Sequence, residues 1–187
     1  RVYAIGSGLP AFFPMMGAMD DPTDEEIKAS LGILVDVSCL RRVEDQRVML
    51  CNDYCKFDHH TPNPGSEDFP FPCLVEPERV SCAEVIADYA LSLGWHIGKE
   101  AAGPLYLGMA TDSGRFVFPG TTKRTFELAA KLIESGADPK RILELAFHES
   151  DEVKAYKSVM RENTKFRDGV SYLSLIHISE PTRQAEI

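Results

Sequence analysis

Four side chains in this 187-residue sequence have the types and positions expected of a divalent-metal site. Asp36 and His59 each end a short apolar run typical of a buried strand, Asp112 ends an apolar helix-like run, and His60 directly follows His59. Side chains just beyond the carboxyl ends of parallel strands face a common crevice. Carboxylates bind hard divalent cations, and an imidazole shifts the preference from Mg²⁺ toward Mn²⁺, Fe²⁺ or Co²⁺. Two ions about 3.5 to 4 Å apart can activate a water and hold a phosphoryl group, which is the chemistry that such a set of ligands permits.

Four ordered strings contain these residues: LVDVS at 34–38, FDHHTPN at 57–63, ATDSGRF at 110–116 and TTKRTFELAAKLIESGADP at 121–139. Together they resemble the DHH phosphoesterase superfamily, which contains the RecJ exonuclease, family II pyrophosphatases, cyclic-dinucleotide phosphodiesterases and nanoRNase-type oligoribonucleases. The DHH string followed by an Asn, together with TDSGRF, is most similar to bifunctional oligoribonucleases that are also 3′-phosphoadenosine 5′-phosphate phosphatases. The resemblance spans residues 1–172.

The resemblance implies metal-ligand roles for three residues. Asp36 matches the carboxylate that bridges two metals, His59 matches the imidazole ligand, and Asp112 matches the later carboxylate ligand. The cofactor that it implies is a pair of Mn²⁺ ions, with Mg²⁺ or Co²⁺ as alternatives. The implied reaction is hydrolysis by water activated between the two metals.

The resemblance also implies roles in catalysis and substrate binding. His60 matches the second histidine, expected near the scissile phosphate, where it neutralises charge or assists the leaving group. Asp58 is expected to accept a hydrogen bond that fixes an imidazole tautomer. Arg115 and Asn63 are candidates for substrate binding, although Arg115 is equally well explained by solvation or by pairing with an acid.

The implied function is hydrolysis of short oligoribonucleotides or 3′,5′-bisphosphorylated nucleosides. Other members of the superfamily suggest two rival activities, a cyclic-dinucleotide phosphodiesterase and a pyrophosphatase. A noncatalytic nucleotide-binding module on the same fold is an alternative from another class. The sequence leaves a homodimer open.

The sequence departs from the family at both ends. The family begins with a strand followed by a string of the type HxxxDxDxxGS, and nothing here matches it. We therefore expect an N-terminally truncated DHH domain over 1–172, without the family's second domain, and weak or absent hydrolysis by this chain alone. The string LSLIHISEPTRQAEI at 173–187 resembles a translated sequencing adapter, so we expect it to be no part of the folded domain.

Strand-like and helix-like patterns alternate, which predicts a doubly wound α/β fold with a mostly parallel sheet and helices on both faces. Capping patterns at Thr23, Ser81 and Thr122 predict three helix starts. The helix after Thr122 is expected to present Phe126, Ala129, Ala130 and Ile133 on one face. Further helices are expected over 101–110, from Pro139 through Leu145 and over 151–161, and extended segments over 2–5, 31–35, 48–50, 55–57 and 116–118.

The composition narrows the class of partner. Lys and Arg number 20 against 29 Asp and Glu, a net charge of −9, which argues against an extended nucleic-acid surface. No apolar window is long enough to span a membrane, so we expect no membrane partner. Five irregularly spaced cysteines favour reduced thiols and a cytoplasmic protein. A zinc site at Cys51, Cys55 and His59 would need these residues on one helical face, which the following Pro62 disfavours.

Overall fold

The computed structural model describes residues 1–6, 18–61, 69 and 71–173. The chain divides into two compact units, Arg1–Ala146 and Phe147–Ile187. The predicted substrate residue Asn63 and nearly all of the string at 173–187 lie outside the described residues. Among the described residues, no helix is both long and apolar enough to cross a bilayer.

The first unit contains a parallel sheet of three strands in the order β1 (Leu31–Val35), β2 (Asp53–Asp58) and β3 (Cys73–Val75). In the β1–β2 register Val35 pairs with Phe57, so both strands end at the same edge of the sheet. The predicted α/β class, with a parallel sheet and helices, is confirmed. This register places the residues that follow β1 and β2 beside each other.

Helices and a small hairpin complete the described structure. In the first unit they are α1 (Asp24–Lys28), two 3₁₀ helices (Leu40–Arg42 and Gln46–Leu50), α2 (Cys82–Ser92), α3 (Lys99–Asp112), α4 (Lys123–Glu134) and α5 (Pro139–Ala146). The second unit has α6 (Asp151–Asn163) and the antiparallel strands β4 (Lys165–Arg167) and β5 (Val170–Tyr172). The sequence patterns did not predict this hairpin.

The hydrophobic core of the first unit lies among α2, α3, α4 and α5. Met109, Leu128 and Leu132 are completely buried there. The apolar face predicted for α4 is mostly wrong, because Phe126 is 55% exposed and Ala130 and Ile133 are exposed as well. Of the four residues predicted there, Ala129 alone is buried. The buried positions of α4 are instead Thr125, Leu128, Ala129 and Leu132.

The three predicted helix starts are confirmed. At each start the side chain of the capping residue accepts a hydrogen bond from the backbone amide three residues later. The pairs are Thr23 with Glu26, Ser81 with Glu84 and Thr122 with Thr125. These bonds satisfy amide groups that lack a partner within the helix. At Ser81 the pattern is only half of a capping box, because the Glu84 carboxylate bonds elsewhere.

Three predicted extended segments are not strands. Residues 48–50 lie in a 3₁₀ helix, where the Asp45 side chain caps the start by accepting from the Arg47 amide. Residues 116–118 form a turn, because the left-handed φ of 64° at Phe116 is incompatible with a strand. Residues 2–5 do not form a strand. The Ala4 carbonyl accepts from the Asp20 amide, and the Ala4 amide donates to the Asp20 carboxylate.

Candidate metal centre

Asp36 is the first residue after β1 and lies at the shared edge of the sheet. Its amide donates to the carbonyl of Phe57, at 3.0 Å, which fixes it against the end of β2. Its φ of 56° is left-handed, a conformation that Asp tolerates better than most residues. The turn directs the strand end toward the loop that carries both histidines.

The His59 imidazole lies between two carboxylates. Its Nε2 is 3.4 Å from Oδ1 of Asp36 and 3.7 Å from Oδ2 of Asp112. Its Nδ1 is 3.2 Å from the backbone carbonyl oxygen of Arg79. Because a carbonyl oxygen can only accept, this contact requires a hydrogen on Nδ1, as in the Nδ1–H tautomer, and Nε2 is the nitrogen that faces the two carboxylates. This is the tautomer that a metal ligand bound through Nε2 requires.

Asp112 reaches the site from the last turn of α3. Burial, with a further contribution from the charge of Asp36, raises the pKa of Asp112 above its usual value. The carboxyl end of a helix also carries partial negative charge. A cation placed among these groups would offset their mutual repulsion.

The Asp58 side chain organises the loop that follows β2. It is 1% exposed and accepts from the amides of His59 and His60, while His60 Nδ1 lies 2.6 Å from its Oδ1. Lys56 Nζ lies 2.9 Å from its other oxygen. Burial acts to raise the pKa of Asp58, but the hydrogen bonds from His60 and Lys56 outweigh it and lower the pKa. An ionised Asp58 therefore orients His60 through Nδ1 and leaves Nε2 for another partner.

The three predicted metal ligands and His60 lie close together. Asp36, His59 and His60 form a cluster whose ligand atoms all lie within 4.8 Å of one another. Asp112 borders this cluster through His59. Arg115 lies three residues after Asp112 in a left-handed turn, with φ of 64°. The individual roles of these residues remain predictions.

Sequence reasoning missed two contributors to the site. Lys56 is two residues before Asp58 in β2, and the alternation of strand side chains could have indicated that both lie on one face. Arg79 acts through its backbone carbonyl, which leaves no signal in residue type. The helical zinc arrangement is not formed, since Cys55 lies within β2. Cys82 lies near the site, but burial raises the pKa of its thiol to about 12.

The site borders an open groove that runs along the exposed side of β1. The groove has a volume of about 920 Å³ and reaches Asp36, and its walls include Ile33 and Val35. Sites for small molecules typically have volumes of roughly 300 to 1,000 Å³. The groove is therefore large enough for a nucleotide-sized ligand.

Comparisons with known proteins identify relatives of the chain, although no family model matches it. It is 34% identical over 123 residues to a probable bifunctional oligoribonuclease and PAP phosphatase NrnA of Streptococcus mutans, covering 66% of this chain and 39% of that protein. It is 32% identical over 149 residues to NrnA of Mycoplasma genitalium, covering 78% and 46%. For NrnA of Bacillus subtilis the values are 29% over 137 residues, with 72% and 42% covered. The chain spans less than half the length of these curated relatives.

Solved structures share the fold. An exopolyphosphatase-related protein from Bacteroides fragilis superposes with a TM-score of 0.69 at 24% identity, covering 77% of this chain and 44% of that one. A putative family II inorganic pyrophosphatase from Methanococcus jannaschii superposes with a TM-score of 0.53 at 23% identity, covering 78% and 51%. The parallel sheet and its helices match the fold of the DHH family. Within that family, the chain is a relative of the NrnA proteins.

Proposed function

We propose that this chain is part of a divalent-metal-dependent phosphoesterase. Its substrates would be short oligoribonucleotides, 3′,5′-bisphosphorylated nucleosides, or both. The observation that carries the proposal is the position of His59, whose Nε2 lies within 3.7 Å of both Asp36 and Asp112. A ligand set of two carboxylates and a neutral imidazole favours Mn²⁺ over Mg²⁺.

The residues of the chain divide into those that hold the metal and those that meet the substrate. Asp36, His59 and Asp112 would hold divalent ions, which supply a more acidic water and neutralise charge on phosphoryl oxygens. His60, oriented by Asp58, would present Nε2 to the phosphate or to the leaving oxygen. Arg115 would bind a phosphate group beside Asp112.

The charge and shape of the protein support short substrates. A net charge of −9 is unsuited to holding long nucleic acid by phosphate contacts. The groove beside Asp36 lies within the size range of sites for small molecules. The NrnA relatives, which are named as oligoribonucleases and PAP phosphatases, support the same substrate class.

Metal binding gives a direct test of the ligand assignment. Titration of the chain with Mn²⁺ in a calorimeter should give saturable binding that Asp36→Asn, His59→Ala and Asp112→Asn each weaken at least tenfold. Asp53→Asn is the matched control, because it removes the same charge at the other end of β2 and should leave the affinity unchanged. Equal effects of Asp53→Asn and Asp36→Asn would contradict the assignment.

Activity distinguishes the enzyme from a binding module. We would extend the coding sequence with its native flanking sequence and incubate the product with Mn²⁺ and a 3′,5′-bisphosphorylated adenosine or a dinucleotide. Release of phosphate or mononucleotide, lost in His59→Ala, is expected. Tight nucleotide binding without release would favour the noncatalytic module. Faster hydrolysis of pyrophosphate or of a cyclic dinucleotide would replace the proposed substrate.

A further inference from the structure

Glu84, in the first turn of α2, is a charged side chain buried away from the metal centre. It is 1% exposed, yet it does not complete a capping box with Ser81. Its Oε2 accepts instead from the backbone amide of Val80, at 2.9 Å, and its Oε1 accepts from the Thr125 hydroxyl, at 3.1 Å. Buried carboxylate oxygens need such hydrogen-bond partners to replace the water that they have lost.

The amide that Glu84 binds belongs to the same peptide unit as the carbonyl that holds His59. The unit joins Arg79 to Val80: its N–H donates to Glu84, and its C=O accepts from His59 Nδ1 at 3.2 Å. In a planar trans peptide these two groups point in opposite directions. One peptide therefore connects a buried carboxylate on one side with the imidazole of a predicted ligand on the other.

We propose that Glu84 is a positioning residue for the metal centre and acts on His59 through the Arg79–Val80 peptide. A negative charge on the N–H side polarises the peptide and strengthens its carbonyl as an acceptor. The stronger acceptor holds His59 in the Nδ1–H tautomer and makes Nε2 more basic. Carboxylates that bond directly to a metal-binding histidine have this effect, and here a peptide transmits it.

Neighbouring contacts hold the connection in place. The Arg79 guanidinium lies 3.5 Å from Glu84, 2.6 Å from Glu76 and 2.5 Å from Asp88. The hydroxyl of Thr125 ties Glu84 to the start of α4. Because Asp88 contacts the Arg79 side chain and not the Arg79–Val80 peptide, its removal should leave the connection intact.

The relevance of this connection to metal binding rests on the proposed function, but its first test needs no metal. The chain with ¹⁵N-labelled histidine and valine is studied by NMR at about pH 8, where an ordinary imidazole is neutral. Wild-type His59 should show a protonated Nδ1 and an unprotonated Nε2. In Glu84→Gln the signals of His59 Nδ1 and of the Val80 amide proton should shift together, and in Glu84→Ala the His59 nitrogens should average between two tautomers.

Asp88→Asn is the matched control, since it removes a carboxylate one turn along α2. It should leave both sets of signals in place. If Glu84→Ala does not fold, the Glu84→Gln variant alone tests the proposal, because glutamine keeps the shape of the side chain. Unchanged His59 and Val80 signals in Glu84→Gln, or equal shifts in Asp88→Asn, would overturn the proposal.

Metal affinity is the second measurement. By calorimetry, Glu84→Gln should bind Mn²⁺ roughly tenfold to 100-fold more weakly than wild type, the range found when partners of metal-binding histidines are changed. Asp88→Asn should bind Mn²⁺ normally. If wild type binds no Mn²⁺ while the His59 signals still depend on Glu84, the positioning role stands and the proposed function fails. If wild type binds Mn²⁺ and Glu84→Gln binds it equally well, the positioning role fails alone.

Discussion

At the scale of single residues, Lys56 and Asp58 form an ion pair that is almost completely removed from water. Their side chains are 5% and 1% exposed, and the charged atoms are 2.9 Å apart. Desolvation can cancel the attraction within such a pair, so its presence is weak evidence of net stabilisation. The ion pair is better explained by what it does for Asp58. Lys56 balances the negative charge with which Asp58 binds both loop amides and the His60 imidazole.

Lys56→Met should destabilise the fold, because it leaves Asp58 buried without its cation. The expected loss in the free energy of unfolding is about 3 to 5 kcal/mol, measured by urea denaturation at neutral pH. Lys131→Met is the control: Lys131 pairs with Glu134 on the surface of α4, where both side chains are mostly exposed. Its effect should stay below about 1 kcal/mol. Equal losses in the two variants would show that burial of the Lys56 pair is unimportant.

The residues of the candidate site were largely predictable because their types carry the chemistry. Asp36, His59, His60 and Asp112 stand in strings whose order matches a known family. The edge of the sheet brings the first three together, and the end of α3 brings Asp112 to His59. The partners that orient them were harder to predict. The carbonyl of Arg79 has no signature in the sequence. Glu84 fits the pattern of a capping box, which predicts a different hydrogen bond from the one that it makes.

At the scale of elements, α2 and α3 approach each other closely at one glycine. A Cβ atom at Gly108 would lie 2.8 Å from the Cβ of Ala83, closer than such atoms can approach. Gly103, in the same helix, has more room, since its Cβ would lie 3.9 Å from the nearest atom, on Ile142. The contact at Gly108 sets the distance between the helix that carries Glu84 and the helix that ends at Asp112.

The two glycines allow the same substitution to be tested with opposite expected signs. Gly108→Ala should lower the free energy of unfolding by about 1 to 3 kcal/mol, because α2 and α3 must separate to admit the methyl group. Gly103→Ala should raise it by up to about 1 kcal/mol, because alanine favours the helix and has space. Thermal and urea unfolding measure both. A stabilising Gly108→Ala would show that the helices separate at little cost.

Elements were predictable where one local signal dominates. β1 is a short apolar run, and α2 and α4 begin at residues whose side chains cap them. The prediction failed where a local hydrogen bond outweighs β propensity. Val48 lies in a 3₁₀ helix that begins at the Asp45 cap, and Phe116 donates its amide to the Ser113 side chain within a turn.

At the scale of the whole molecule, the core and the candidate site belong to one unit. The residues of the main hydrophobic cluster lie between Ala87 and Ile142, and the predicted ligands lie between Asp36 and Asp112. All of them fall within Arg1–Ala146. The four matching strings fall between residues 34 and 139, and all of them therefore lie within this unit.

A chain ending after Ala146 should therefore fold and keep the site. It retains α5 whole, and with it Ile142, which is buried in the core. We expect one cooperative urea transition with a midpoint close to that of the full chain, and the same His59 ¹⁵N signals and Mn²⁺ affinity. A chain ending after Gly120 is the control: it lacks Leu128 and Leu132, both completely buried, and should not fold. Loss of the transition or of the His59 signals in the longer truncation would show that residues after Ala146 are required to form the site.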